Sequence, residues 1–547
     1  MITSTYGYND LRQLTSKGVT VPDQNGTQTK VYDRSYTYDR IAVDSGNWMG
    51  TRLASTGYTF GSSSRSFTYT YDKAGNITKI VTDGTSVPKA AEWKEYTYDA
   101  QGQLVSEKNS SKTTFLYAYD TAGNIRSITK DGTVTKSFGY TNASWPDLLT
   151  SVTSGSTTKD ILYEGQTRTS DLPSSGNPVT YYNGKDYAFT WTKGRQLAKA
   201  VVDGKTVEYT YDMSGVRTSK TVNGTTYNYT TLSGKVMRQQ WETRNSDDSV
   251  REAMQTLEFV YDDGSQPFAM IYNDGSTSTL YYYVLNAQGD VIALLNANGT
   301  LAASYNYGAW GNYSVHGADG KKTTDPTFIG HINPLRYRGY YYDRETRLYY
   351  LQSRYYDFAN YRFINADGQF TDGFIGSNLF AYCENNPIRY SDPTGLLAAE
   401  AAITLTNWWN PIGWITAAVV VVEVVAIVAI SYGIAKNVSL ANRNTGGNSA
   451  DTSSPENYGG STPASPQPPK NNGRGNNKKS NNKPSLKKLT NFQLKSNGLD
   501  AHALKKEYLG KKAEIKLYDL AYDSRSRIIF IIDKAGRIIY ETAYKIN

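Results

Sequence analysis

At 547 residues, with 38% hydrophobic and 20% charged side chains, the chain is too long for one ordinary core and should divide into two or more units. The net charge of +8 is uneven: residues 470–547 hold 18 Lys/Arg against 7 Asp/Glu, which leaves 40 against 43 for residues 1–469, so a near-neutral body carries a basic tail. A single cysteine, Cys383, excludes an intrachain disulfide.

The opening MITSTYGYND has neither a basic nor an apolar stretch and does not read as a signal peptide, so a start inside a longer repeat array is expected. Gly and Tyr, 47 of each, point to short strands and turns, because aromatic side chains suit a pleated, half-buried surface. The body then repeats itself. Tyr69-Thr-Tyr71-Asp72-Lys-Ala-Gly75-Asn76 is followed by Tyr96-Thr-Tyr98-Asp99-Ala-Gln-Gly102-Gln103. Tyr117-Ala-Tyr119-Asp120-Thr-Ala-Gly123-Asn124 and Tyr209-Thr-Tyr211-Asp212-Met-Ser-Gly215 come after it. Each unit reads as strand, tight turn, strand. Tyr-x-Tyr follows strand alternation, Asp opens the turn by bonding backbone amides, and Gly-Asn supplies positive φ. One hairpin cannot bury its own apolar face, so successive units must stack.

These units resemble YD/RHS repeats over roughly residues 30–397. Further on, Leu335-Arg-Tyr-Arg-Gly-Tyr-Tyr-Tyr-Asp343, Leu348-Tyr-Tyr-Leu-Gln-Ser-Arg354-Tyr-Tyr-Asp357 and Tyr361-Arg-Phe-Ile-Asn-Ala-Asp367 follow in order. Asn378-Leu-Phe-Ala-Tyr-Cys-Glu-Asn-Asn-Pro387 and Ser391-Asp392-Pro393-Thr-Gly395-Leu396 complete the series, which is similar to the RHS-associated core. The resemblance implies an RHS-repeat polymorphic toxin: a hollow, mainly β shell closed by the core, with a variable C-terminal polypeptide after the Asp-Pro-x-Gly-Leu motif. It also implies self-cleavage after that motif by two aspartates, at Leu396–Leu397. Asp392 matches one aspartate. Asp367 stands where the family carries a further Asp-Pro-x-Gly, here altered to Asp-Gly-Gln, and Asp372 is its rival.

Residues 415–435 form a 21-residue apolar run with one acid, Glu423, flanked by Trp408, Trp409 and Trp414 before it and by Lys436 after it. About 20 apolar residues span a bilayer, so a transmembrane or translocation helix is expected within 398–437, its one acid favouring conditional insertion. A buried core helix is the plainer alternative. Residues 438–484, rich in Asn, Gly, Ser, Pro and Lys, read as a disordered basic linker.

Residues 485–547 recover a globular pattern, expected to be a small α+β domain. Asp500 caps a helix over 501–509, a strand runs around 514–522, and a hairpin pairs Arg527–Asp533 with Arg537–Tyr544. This segment carries 13 Lys/Arg against 7 Asp/Glu, which suits a polyanion. It holds one histidine, His502, with Lys505 and Lys506 on the same helix, and no Cys or phosphate loop. One His beside scattered acids is a poor metal set, so no cofactor and no metal are expected. A metal-independent ribonuclease toxin needs only a proton-transfer group and cations for the phosphorane charge: His502 for the first, Lys505, Arg527 and Arg537 for the second. A surface histidine without a role is the plainer alternative.

The domains expected are therefore a YD-repeat shell over 1–334, the core over 335–397, an apolar segment over 398–437, a linker over 438–484 and a toxin domain over 485–547. The partners expected are an RNA substrate, an acidic cognate immunity protein and the target-cell membrane, with the protein secreted or at the cell surface and delivered into neighbouring cells in interbacterial competition. The competing functions are a membrane-damaging effector through 399–435 and a surface adhesin whose repeats bind carbohydrate. A small acidic product from the next reading frame would favour the toxin.

Overall fold

A computed structural model describes residues 3–22, 28–43, 46–85, 92–244, 250–262, 264–368, 378–396, 399–400, 486–488, 518–523, 528–533 and 538–545. They fall into two compact units divided at Gly446/Gly447.

The first unit is almost wholly antiparallel β. Each strand pairs with the next in chain order, so the sequence meanders across a 13-stranded sheet, Thr3–Tyr8 to Thr157–Asp160, and then a 14-stranded sheet, Leu162–Tyr163 to Tyr313–Gly317. The expected shell is thus two sheets, broken at Ile161. The repeats explain the meander. In the YD turns the Asp carboxylate accepts the backbone N–H four residues on, and in three of the four also that residue's side-chain amide: Asn76 to Asp72 at 2.8 and 2.9 Å, Gln103 to Asp99 at 2.9 and 2.9 Å, and Asn124 to Asp120 at 2.9 and 3.2 Å, while Val216 gives Asp212 its N–H alone at 2.9 Å. Positive φ falls on the glycines, Gly75, Gly102, Gly123 and Gly215, and not on the residue after them. That residue is instead buried, as with Asn76, Gln103 and Asn124.

Both tyrosines of Tyr-x-Tyr face inward. The first is core, as Tyr69, Tyr96, Tyr117 and Tyr209 show. The second donates its hydroxyl to a carbonyl on the preceding strand: Tyr71 to Leu53 at 2.7 Å, Tyr98 to Ile77 at 2.7 Å, Tyr119 to Leu104 at 2.7 Å and Tyr211 to Leu197 at 2.9 Å. A buried phenol usually finds such a partner, and the hydroxyl of the core residue Tyr69 is an exception.

The core segment forms a four-stranded sheet, Tyr341–Asp343, Leu348–Leu351, Arg354–Asp357 and Arg362–Phe363, whose strand residues are all buried. It is bonded to both large sheets. Tyr181 Oη of the 14-stranded sheet donates to Asp357 (2.9 Å), and Lys136 Nζ of the 13-stranded sheet donates to the Ala359 carbonyl, in the turn before the segment's last strand (2.7 Å). The asparagines of the 378–387 stretch clasp successive YD turns. Asn378 donates to Asn124 Oδ1 (2.8 Å), Asn385 to the Gly123 carbonyl (2.7 Å), and Asn386 to the Gly102 carbonyl (2.9 Å) and Asn76 Oδ1 (3.0 Å).

The second unit shows a four-stranded antiparallel sheet, Leu486–Lys488, Tyr518–Asp523, Ile528–Asp533 and Ile538–Lys545. The expected hairpin is there, and Leu520, Ala521, Ile529 and Ile531 are buried. The expected helix over 501–509, the linker and the apolar run over 415–435 lie outside the described residues. Among the described residues no helix is long and apolar enough to cross a membrane.

Candidate functional site: two aspartates on one buried guanidinium

The strand Arg354–Asp357 and the turn after Ser391 meet at Arg354, whose side chain is 3% exposed and lies over the Phe363 ring. Its Nη2 is 2.8 Å from Asp367 Oδ2 and 3.4 Å from Asp392 Oδ2, so one guanidinium bridges the two carboxylates. Burial foremost, against the pull of Asp367 and Asp392, brings the Arg354 guanidinium down to about 10. Its Nη1 donates to the Leu379 carbonyl (3.1 Å), and its Nε to the Gly395 carbonyl. Leu379 also accepts the Asp367 N–H at 2.8 Å, which fixes that aspartate from its backbone.

Asp392, buried, shapes the turn that carries the Asp-Pro-Thr-Gly-Leu motif. Its Oδ1 accepts the N–H groups of Gly395 (2.8 Å) and Leu396 (3.1 Å), and its own N–H donates to Tyr340 Oη (2.7 Å). Gly395 has φ +73°, and a Cβ there would stand 2.7 Å from the Leu351 carbonyl oxygen, so the tight approach demands glycine. Ser353 Oγ closes the other side against the Thr394 and Gly395 carbonyls at 2.7 and 2.8 Å. Cys383 is no rival nucleophile: burial, and after it the Asp392 charge, push its thiol well up.

Of the residues singled out from sequence, Asp367, Asp392 and Leu396 are brought together. Leu397 and Asp372 lie outside the described residues, as do His502, Lys505, Arg527 and Arg537. Sequence reasoning missed Arg354, Tyr340 and Ser353. Arg354 was visible in the Gln-Ser-Arg-Tyr-Tyr-Asp string, but nothing local says that a strand arginine meets acids 13 and 38 residues later.

The fold defines a YD-repeat β shell. The Teneurin YD-shell family model matches residues 16–388, and the chain belongs to that family. It is 35% identical over 214 residues to the tRNA3(Ser)-specific nuclease WapA of Bacillus spizizenii, covering 38% of this chain and 8% of that protein. It is 27% identical over 237 residues to the double-stranded DNA deaminase toxin A of Burkholderia cenocepacia, covering 40% of this chain and 15% of that one. The chain thus spans a small part of the length of the curated relatives it matches. The Photorhabdus luminescens Tc holotoxin pore with the TccC3-D651A mutation has the same fold at 18% identity and a TM-score of 0.50, covering 74% of this chain and 21% of that one.

Proposed function

We propose that this chain is the shell-and-cargo end of an RHS toxin, in which the core cuts the Leu396–Leu397 bond and frees the C-terminal polypeptide. The observation that carries the reading is the aspartate pair: two carboxylates on one buried guanidinium, one of them holding the amides of Gly395 and Leu396. Amide hydrolysis needs one group to take a proton from water and another to give one to the leaving nitrogen, and two close carboxylates supply both. Arg354 holds the pair together and, through its Nε, fixes the Gly395 carbonyl one residue before the bond.

For the cargo, the relatives' names differ, a tRNA nuclease and a DNA deaminase, so the shared part of the chain does not choose the chemistry. The residues of 485–547 do. A basic segment with one histidine and no other histidine or cysteine suits metal-independent cleavage of RNA, with His502 in proton transfer and Lys505, Arg527 and Arg537 on the phosphate side. An acidic immunity protein is the partner such a cargo requires, and delivery from outside the target cell is its route.

Purified full-length chain should resolve into two fragments joined originally at Leu396–Leu397, while Asp392→Asn and Asp367→Asn stay whole. A wild-type chain that remains intact, or an Asp392→Asn chain that is cut at the same bond, would refute the release step.

A further inference from the structure

Lys136 lies on the strand Thr133–Gly139 of the 13-stranded sheet, yet its ammonium end reaches the 14-stranded sheet and the core at once. Nζ is 2.7 Å from the Ala359 carbonyl, 2.9 Å from the Asn183 carbonyl and 2.9 Å from Asn360 Oδ1. The Asn360 side chain, 1% exposed, is held in one orientation: its Nδ2 donates to Tyr181 Oη (3.0 Å) and to the Tyr182 carbonyl (2.8 Å). Tyr181 Oη in turn donates to Asp357 Oδ2 (2.9 Å), and Asp357, fully buried, also accepts from Asn183 Nδ2 (3.1 Å) and the Ala359 N–H (2.9 Å). Tyr181, Tyr187 and Phe189 wall the group, with ring centroids 5.4–6.0 Å apart.

An amine against a carboxamide, with a hydrogen-bonded path from the carboxamide nitrogen to a buried carboxyl, is the constellation that amide exchange requires. We propose that Lys136 and Asn360 become joined by an intramolecular isopeptide bond, Nζ to Cγ, with Asp357 acting through Tyr181 as the proton shuttle. The Nζ–Cγ bond forms and the Cγ–Nδ2 bond breaks. Asp357 delivers its proton through the Tyr181 hydroxyl to Nδ2, which leaves as ammonia, and the proton shed by Nζ returns to Asp357. Nothing is oxidised or reduced.

Both end groups are biased toward reaction. Burial brings the Lys136 amine down to about 8, so a neutral nucleophile is accessible near neutral pH. Burial raises the Asp357 carboxyl, against Lys136, which keeps a proton available to the leaving nitrogen. The bond would staple the wall to the core segment, between residues 224 apart in sequence, and would leave the shell closed whether or not the chain is cut after Leu396.

The test is mass spectrometry of the purified full-length chain, denatured and digested with trypsin. The expected result is a branched peptide joining Lys136 to Asn360, one ammonia lighter than its two arms together. Asn360→Asp should give the same branch with loss of one water instead, and Lys136→Met and Asp357→Ala should give linear peptides. A wild-type digest containing only linear peptides, with free Lys136 and intact Asn360, would overturn the proposal. A branch that forms as readily in Asp357→Ala would remove Asp357 from the step.

Discussion

Arg217 is 1% exposed and is surrounded by ring faces: its guanidinium carbon lies 4.2 Å from the Tyr350 centroid, 4.9 Å from Tyr229 and Tyr341, and 5.3 Å from Tyr209. Its Nη1 pairs with Asp343, which also takes Lys220 Nζ at 3.2 Å, and Lys220 reaches Glu345 at 2.7 Å. Two cations and two carboxylates therefore balance where the core segment meets the 14-stranded sheet, and the tyrosine faces receive the guanidinium edges that have no oxygen partner. Removing one member of a buried pair strands the other, so Arg217→Met should cost about 3–5 kcal/mol in urea unfolding of the shell. Arg217→Lys should recover little of it, since a compact ammonium cannot face four rings. The same network sets an acid limit. Burial alone would raise the Glu345 carboxyl, but the Lys220 ammonium outweighs it and holds the group down to about 2, below its ordinary 4.5. A depressed carboxyl stabilises above its unfolded value and loses that contribution as pH falls toward the folded one. Stability should thus decline between pH 4.5 and about 2, and Glu345→Gln should flatten that part of the profile.

At the scale of elements, the shell is built from one bonded unit used again and again: Asp caps the turn, Gly bends it, and the second tyrosine ties its hydroxyl to the neighbouring strand. Tyr119→Phe removes one such tie to Leu104 and should cost about 1 kcal/mol, read by thermal unfolding. Asn386→Ala should cost about 1–3 kcal/mol, because it leaves the Gly102 carbonyl without its clasp inside the protein. The turns and hairpins were legible in the sequence because every interaction that makes them lies within a few residues. The hairpin Ile528–Asp533 with Ile538–Lys545 was read for the same reason, as two apolar runs on either side of a turn at Lys534-Ala-Gly536. Leu486–Lys488 was not: three residues, two of them lysines, show no period, and only pairing with Tyr518–Asp523 makes them a strand. The break at Ile161 left no trace either. The asparagines of 378–387 were noted as a motif, but their partners lie 254, 284 and 310 residues away, and spacing cannot reveal a clasp of that length. The aspartate pair stands between these cases, since Asp392 and Asp367 were named from their motif and only the structure supplies Arg354 as their common partner.

For the molecule as a whole, the clasp and the proposed cut would be parts of one device. Asn378 holds the turn at Gly123–Asn124, and the next residue, Leu379, presents the carbonyl that receives both Arg354 Nη1 and the Asp367 N–H. A shell whose turns are not yet in place therefore lacks the anchor that brings Asp367 to Arg354, so the proposed cleavage should wait on folding. Asn378→Ala, which touches neither carboxylate, should slow the appearance of the two fragments while leaving the cut at the same bond, as followed by gel and terminal sequencing. Cargo chemistry should be separable from this. In the full chain His502→Ala should be cut at the wild-type rate but lose ~10²–10⁴ of any RNA-cleaving activity, the usual effect of removing a proton-transfer group. Asp392→Asn should show the reverse, an uncut chain with His502 in place. Expressing the three chains in bacteria lacking an immunity partner and examining total RNA distinguishes the two roles. Intact RNA with the wild type would sink the ribonuclease reading, and degraded RNA with His502→Ala would move the chemistry to another residue.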